Sequence, residues 1–222
     1  MIENGTGSGL ICVIDDDEDV RDSLRTLLRS ADYNVRAFAE PEEFLACDAA
    51  DSAACLILDI NLGCANGLDF QEELRENATA VPIILISGVG DVPMTVRGMK
   101  AGAVTFLTKP FDEDAMLVAI NEAVASHDAR RREMAALTSV QERYESLTPR
   151  ERDLFGLVTA GLMNKQIAGR LEISEITAKI HRGNMVKKMK ADSVADLVRM
   201  AETLGIREAA TRYNRGPGQQ TC

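Results

Sequence analysis

Five short apolar runs punctuate the first half of the chain, and four of them end in a residue able to do chemistry. Leu10–Ile14 runs into Asp15, a weaker stretch covers residues 33–38, Cys55-Leu56-Ile57-Leu58 runs into Asp59, residues 81–86 into Ser87, and residues 103–107 into Thr108-Lys109. Runs of this length cannot cross a bilayer and read as strands buried on both faces. The segments between them carry apolar residues at helical spacing. Val20, Leu24, Leu27 and Leu28 follow the first strand, a short helix opens at Pro41, another begins near Leu68 after the loop at residues 62–67, and a further one covers residues 91–101. Strands alternating with helices predict an α/β fold, a doubly wound five-stranded parallel sheet.

From Asp112 the pattern turns helical and stays so. Met116, Ile120, Ala123 and Val124 make one apolar face, Arg130-Arg131-Arg132-Glu133 is strongly polar, and Met134, Leu137, Tyr144 and Leu147 restore a broken periodicity with no Pro or Gly before Pro149. A long exposed helix follows, either a solvated spacer or a short dimerising coiled coil. The chain then restarts with Thr148 as N-cap, Pro149 at the first helical position and Glu151 completing a capping box. Leu154, Leu157 and Val158 line that helix, Gly161 ends it, a second helix spans residues 164–171, and Ser174 caps a third running from Glu175 to Met189. Two short helices joined by a tight turn are a helix-turn-helix arrangement. On the third helix Ala178, His181, Met185 and Met189 face the core. The opposite face presents Ile176, Lys179, Ile180, Gly183 and Lys187, flanked by Arg182 and Lys188. Such a basic face is either a plain solvated surface or a DNA-reading one, on which lysines meet phosphates or guanines and an isoleucine meets a thymine methyl.

Charge sharpens this division. The net charge of -10 hides an asymmetry: residues 1–124 carry 8 Lys and Arg against 23 Asp and Glu, whereas residues 147–222 carry 13 against 8. The acidic half can hold a cation, and the basic half can approach a polyanion such as double-stranded DNA. Cys12, Cys47, Cys55, Cys64 and Cys222 form no C-x-x-C pair and read as small hydrophobes in a reducing compartment, and two histidines, His127 and His181, are too few for a zinc site. No basic-then-apolar leader opens the chain, so a soluble, cytoplasmic protein without membrane contact is expected.

Asp59 is either a strand-ending turn residue or a reactive group in a crevice, since ligands of open α/β sheets sit at the carboxyl ends of the strands. Asp17, Glu18 and Asp19 suit the first turn of a helix. Asp15 and Asp16 would instead share the sheet edge with Asp59, and three carboxylates with carbonyl oxygens make a hard-cation site of magnesium type. Ser87 adds a hydroxyl and Lys109 an ammonium able to neutralise a phosphoryl oxygen.

These residues carry a resemblance. Val13-Ile14-Asp15-Asp16-Asp17-Glu18-Asp19-Val20-Arg21, Leu58-Asp59, Ile86-Ser87-Gly88 and Phe106-Leu107-Thr108-Lys109-Pro110-Phe111 resemble, in order, the motifs of a two-component response-regulator receiver domain, a flavodoxin-like fold, over about residues 8–125. The resemblance implies Asp59 as phosphoacceptor, Mg2+ held by Asp15, Asp16, Asp59 and the backbone carbonyl of Asn61, phosphoryl contacts from Ser87 and Lys109, and Phe106 as the aromatic that reports activation. Gly63 stands where proline is common, and Phe106 lacks the hydroxyl of the frequent tyrosine. Likewise Leu147-Thr148-Pro149-Arg150-Glu151, Gly161-Leu162-x-Asn164-Lys165-x-Ile167-Ala168 and Ile173-Ser174-Glu175-x-Thr177-x-Lys179-x-His181 resemble the LuxR-type helix-turn-helix, which after a receiver is the order of NarL/FixJ regulators. Candidate DNA contacts are Lys165, Thr177, Lys179, Ile180, Arg182, Gly183 and Lys187. Gly183 departs from the longer, often basic residue of that family.

The expected organisation is a receiver at 8–125, a helical linker at 126–146, an all-α four-helix DNA-binding domain at 147–206 and a disordered tail from 207. The function implied is a response-regulator transcription factor and not an enzyme. A sensor histidine kinase would phosphorylate it, it would then form a homodimer and bind promoter DNA, and RNA polymerase would be a further partner. Two alternatives stand beside it: a constitutive DNA-binding regulator whose receiver only dimerises, and a metal-dependent phosphohydrolase with Asp59 as transient nucleophile.

Overall fold

The computed structural model describes residues 9–63, 65–77, 81–88 and 90–206; the Gly-rich start, Cys64, Cys222 and the tail expected to be disordered from Arg207 lie outside the described residues. The chain divides into two compact units, one up to Arg131 and one from Arg132.

The first unit contains β1 (Leu10–Ile14), α1 (Glu18–Ser30), β2 (Asn34–Phe38), α2 (Pro41–Leu45), α3 (Ala49–Ser52), β3 (Ala53–Asp59), β4 (Asn61–Leu62), β5 (Ala65–Asn66), α4 (Gly67–Glu76), β6 (Ile83–Ser87), α5 (Val92–Lys100), β7 (Thr105–Thr108) and the beginning of α6 (Glu113–Glu145). Five strands form one sheet in the order β2-β1-β3-β6-β7, and every pairing in it is parallel. Alternate strand residues supply two apolar layers. Cys12, Ile14, Leu56, Leu58 and Leu85 pack with Phe44, Leu68, Phe70 and Leu74 on one face. Ile11, Val13, Cys55, Ile57, Ile84 and Ile86 pack with Leu24, Leu28, Met116 and Ile120 on the other. Burial on both faces is why these strands read as unbroken apolar runs.

The chain leaves β1 for β2 on one side and then returns to β3 on the other. This reversal opens a crevice at the carboxyl ends of β1 and β3, the usual ligand position in doubly wound sheets. Register brings Ile14 beside Leu58, so the residues that follow each of them, Asp15 and Asp59, emerge as neighbours.

Three local features differ from the pattern-based expectation. Residues 62–67, expected as a loop, contribute to a two-residue antiparallel ladder, Asn61 opposite Asn66 and Leu62 opposite Ala65. The turn α3 carries no periodicity long enough to be seen in sequence. β6 starts at Ile83, since Pro82 has no N–H to give, although its carbonyl still accepts from the Leu56 N–H at 2.9 Å. Cys12 and Cys55 are buried and Cys47 half-buried, all as free thiols. Burial pushes the Cys12 thiol up to about 12 and the Cys55 thiol up as well, so both behave as small apolar residues.

Helix α6 runs without a break through residues 125–126, so the expected linker shares one helix with the end of the receiver. Met116, Ala119, Ile120 and Ala123 are buried, whereas residues 129–138 are exposed. The second unit holds the end of α6 with α7 (Pro149–Thr159), α8 (Asn164–Leu171), α9 (Glu175–Met189) and α10 (Val194–Thr203). Leu154, Phe155, Ile167, Ala178, Met185, Met189 and Leu197 form its core. His181, expected to face that core, is only half-buried. No described helix is long and apolar enough to cross a membrane.

Candidate functional site

The acidic crevice is built at the ends of four sheet strands, β1, β3, β6 and β7. Asp15 follows β1 and is fully buried, Asp59 ends β3 at 4% exposure, and Asp16 is exposed. One carboxylate oxygen from each lies within 4.8 Å of the others. Neighbouring backbone fixes two of these carboxylates: the Asp17 N–H donates to Asp15 Oδ1 at 3.0 Å, and the Asn61 N–H donates to Asp59 Oδ1 at 3.1 Å. Asn61 is thus brought to the phosphoacceptor candidate through its backbone.

Lys109 Nζ closes the crevice, donating at 2.6 Å both to Asp15 Oδ2 and to Asp59 Oδ2. Ser87 is buried at the end of β6, and its carbonyl accepts from the Lys109 N–H at 2.7 Å, which ties the ends of β6 and β7. Burial pushes the Asp15 carboxyl above the ordinary aspartate range even though the Lys109 and Asp17 hydrogen bonds oppose it. Burial also works against the Lys109 ammonium, but its hydrogen bonds to Asp15 and Asp59 and their charges outweigh it, and the lysine is held above its ordinary value. Three carboxylates against one ammonium leave a formal excess of two negative charges in the cluster. All-oxygen donors with that excess suit a hard divalent cation of the magnesium type.

Phe106 is half-buried against the apolar layer that contains Leu85. Three contributors to the site were not legible as such. Arg21 Nη1 donates to the Asp15 carbonyl at 2.7 Å, anchoring the acidic loop from within α1. Gly67, at the start of α4, passes so close to β3 that a Cβ there would lie 2.1 Å from the Asp59 carbonyl oxygen. Gly90 leaves room for Thr108 and Phe106, whose atoms a Cβ would meet at 2.6 and 3.6 Å. Gly67 and Gly90 look like ordinary loop glycines in sequence, because the close approaches are made by residues distant along the chain.

In the second unit Thr148 and Glu151 form the expected capping box at α7. Glu172 in left-handed conformation makes the turn between α8 and α9, and Ser174 caps α9 by accepting from the Thr177 N–H. The candidate reading face of α9 is exposed: Lys179, Gly183 and Lys187, with Ile176 at 75% and Ile180 at 58% exposure, and Lys165 is exposed on α8. Nothing would lie within 4 Å of a Cβ at Gly183. Other candidates have work inside the domain. Arg182 donates to Asn164 Oδ1 at 2.9 Å, joining α9 to α8, and the Thr177 hydroxyl pairs with that of Ser174 at 2.7 Å. Lys188, read as a flank of the DNA face, is committed to the buried Glu151 at 2.6 Å and to the Ser146 carbonyl at 3.3 Å. Its sequence neighbours gave no sign of this, because the partner lies 37 residues earlier.

Comparison with known proteins agrees with both halves. Residues 11–121 match the response regulator receiver domain family, and residues 145–201 match the bacterial regulatory proteins of the luxR family. The chain is similar to nodulation protein W of Bradyrhizobium diazoefficiens, 46% identical over 89% of this chain and 87% of that protein. It is also similar to the transcriptional regulatory protein FixJ of the same organism, 37% identical over 90% of this chain and 98% of that one. Among solved structures the response regulator StyR aligns with a TM-score of 0.82 and 42% identity, covering 87% of this chain and 98% of that one. The two matched families and the transcriptional regulatory protein FixJ describe a family of transcription regulators and not a classical enzyme family, which sets aside the phosphohydrolase alternative. A receiver-type acidic crevice on a doubly wound sheet and a LuxR-type helix-turn-helix, matched together along nearly the whole length of such relatives, make this chain a member of the response-regulator family of transcription regulators.

Proposed function

We propose that this protein is a phosphorylation-controlled transcription regulator in which Asp59 accepts a phosphoryl group from a sensor histidine kinase. The observation that carries the reading is the Asp15, Asp16 and Asp59 cluster with Lys109 bonded to two of its members. An Asp59 oxygen forms the new P–O bond as the P–N bond of the donor phosphohistidine breaks, and the leaving imidazole nitrogen keeps the electron pair. Asp15, Asp16, Asp59 and the Asn61 backbone carbonyl would hold Mg2+, which when bound supplies charge neutralisation for the phosphoryl oxygens. Lys109 serves the same end from the other side. Its ammonium is already beside Asp59, so it needs only to exchange a carboxylate oxygen for a phosphoryl oxygen.

The new charge on Asp59 biases a pre-existing equilibrium through Ser87 and Phe106 toward a state that dimerises. Two copies of α9 then read a promoter through Lys179, Ile180 and Gly183, while Lys165, Thr177, Arg182 and Lys187 address the backbone or neighbouring bases. RNA polymerase is a further partner in this reading, and the cytoplasm is its place of action.

Sedimentation and operator binding of wild type and Asp59→Asn, each with magnesium and a small phosphodonor, test it. The donor should drive only the wild type to dimer and raise its DNA affinity. Equal affinity in both proteins, with or without donor, would favour the constitutive regulator.

A further inference from the structure

The receiver has a second cavity at the edge of the sheet opposite the acidic crevice. Its walls come from the approach to β6 (Val81), the approach to β7 (Val104), the last turns of α4 (Leu74, Arg75) and α6 at Arg130. Its volume is about 420 Å³, within the range of small-molecule sites. Gln71, 1% exposed, is part of the lining.

Two observations give this cavity a chemistry. The first is the Gln71 amide. Its Nε2 donates to the Gly98 carbonyl at 3.1 Å, which fixes the orientation of the group, because a flipped amide would set two carbonyl oxygens against each other. Oε1 is therefore held as an acceptor, and it is buried without a hydrogen-bond partner among the described residues. A buried acceptor left unpaired is costly, and a donor brought into this wall removes that cost. The second is charge. Arg75 and Arg130 both line the cavity, and Arg75 lies in the stretch, residues 1–124, where acids outnumber bases nearly threefold. Neither guanidinium forms an ion pair with a described residue, whereas Arg97 nearby is bound by Asp69 and Glu72. Two guanidiniums at a partly apolar cavity form a recognisable carboxylate site.

We propose that this cavity binds a small organic anion: a carboxylate for Arg75 and Arg130, an apolar body against Leu74, Val81 and Val104, and a hydroxyl or amine donor for the Gln71 carbonyl oxygen. The site is separate from the phosphoacceptor, lying at the amino ends of β6 and β7 where Ser87 and Lys109 stand at the carboxyl ends. It includes α6, the helix that continues into the linker, so an occupant is placed to bias that helix independently of phosphorylation.

Titration calorimetry on the full chain with three probes tests the assignment: 4-hydroxybenzoate, benzoate, which lacks the donor, and 4-hydroxybenzyl alcohol, which lacks the charge. Saturable binding of 4-hydroxybenzoate is expected, with each lacking probe weaker by about tenfold. Arg75→Ala and Arg130→Ala, both at exposed positions, should each weaken 4-hydroxybenzoate by about tenfold and leave the circular dichroism spectrum unchanged. Gln71→Met should abolish the advantage of 4-hydroxybenzoate over benzoate, and the wild-type ratio of the two probes reads the same contact if that variant does not fold. Absence of saturable binding of any probe overturns the proposal. So does binding that both arginine variants retain, which would put the anion elsewhere, and equal affinity for 4-hydroxybenzoate and benzoate overturns the role given to Gln71.

Discussion

Asp15 and Glu151 are both buried carboxyls paired with a lysine at 2.6 Å, yet their ionisation acts on stability with opposite dependence on pH. The folded Asp15 carboxyl titrates above its ordinary value of 3.8, so its contribution to stability is present in acid and lost as pH rises through the folded value. At neutral pH the ionised, buried Asp15 is therefore a cost in the absence of a cation. Asp15→Asn should raise the stability of the chelator-treated protein at pH 7 by on the order of 1 kcal/mol, with the gain fading in acid; equilibrium urea unfolding at several pH values measures this. Glu151 has the reverse sign. Burial pushes its carboxyl up, but the hydrogen bonds from Lys188 and Thr148 outweigh it and hold it below its ordinary value of 4.5. Its stabilisation is present above that value and lost as pH falls through the folded one. Glu151→Gln should cost the second unit about 2 kcal/mol at pH 7 and little in strong acid, read as the loss of α-helical signal on unfolding.

At the scale of elements, glycines decide how closely helices approach the sheet. Gly67 opens α4 against β3, and the atom it faces is the carbonyl oxygen of Asp59. Backbone cannot yield as a flexible side chain does, so Gly67→Ala should destabilise the first unit by about 2–3 kcal/mol and slow phosphoryl uptake at Asp59; melting and a phosphorylation time course check the two effects. The two-residue ladder β4–β5 and the turn α3 escaped sequence reading because periodicity needs more residues than they contain. The long α6 was legible as continuous helix, since nothing between residues 113 and 145 breaks it: no Pro and no Gly occur there. What its sequence left open was the partition of its faces. Met116, Ile120 and Ala123 are buried, whereas Met134 is 63% and Leu137 39% exposed.

At the scale of the whole molecule, the acidic and basic halves of the sequence correspond to two units, each with its own apolar core. Magnesium, under the proposed function, should therefore act on one of them. Adding millimolar Mg2+ to the full chain should raise the melting transition of the first unit by about 3 kcal/mol if its concentration reaches about 100 times Kd, and leave that of the second in place. Calorimetry with and without chelator reads both transitions, and a shift of neither, or of both equally, counts against cation binding by the carboxylate cluster.

The sequence by itself determined the elements and their chemistry: buried strands from unbroken apolar runs, the capped helices of the second unit from Thr148, Pro149, Glu151 and Ser174, and the polar residues at strand ends. It also held both family resemblances, because motif order survives in one dimension. Only the tertiary structure decided which of these groups meet. Asp15 and Lys109 are 94 positions apart and share a hydrogen bond because β1 and β7 end at the same edge. Lys188 turned from a flank of the candidate DNA face into the partner of Glu151, and Gln71 became a buried acceptor in the lining of a cavity that Arg75 and Arg130 share, because α7 packs on α9 and α4 on α5. Hydrophobic pattern records which face of an element is buried; it does not record what lies opposite, and the pairing of polar groups is set there.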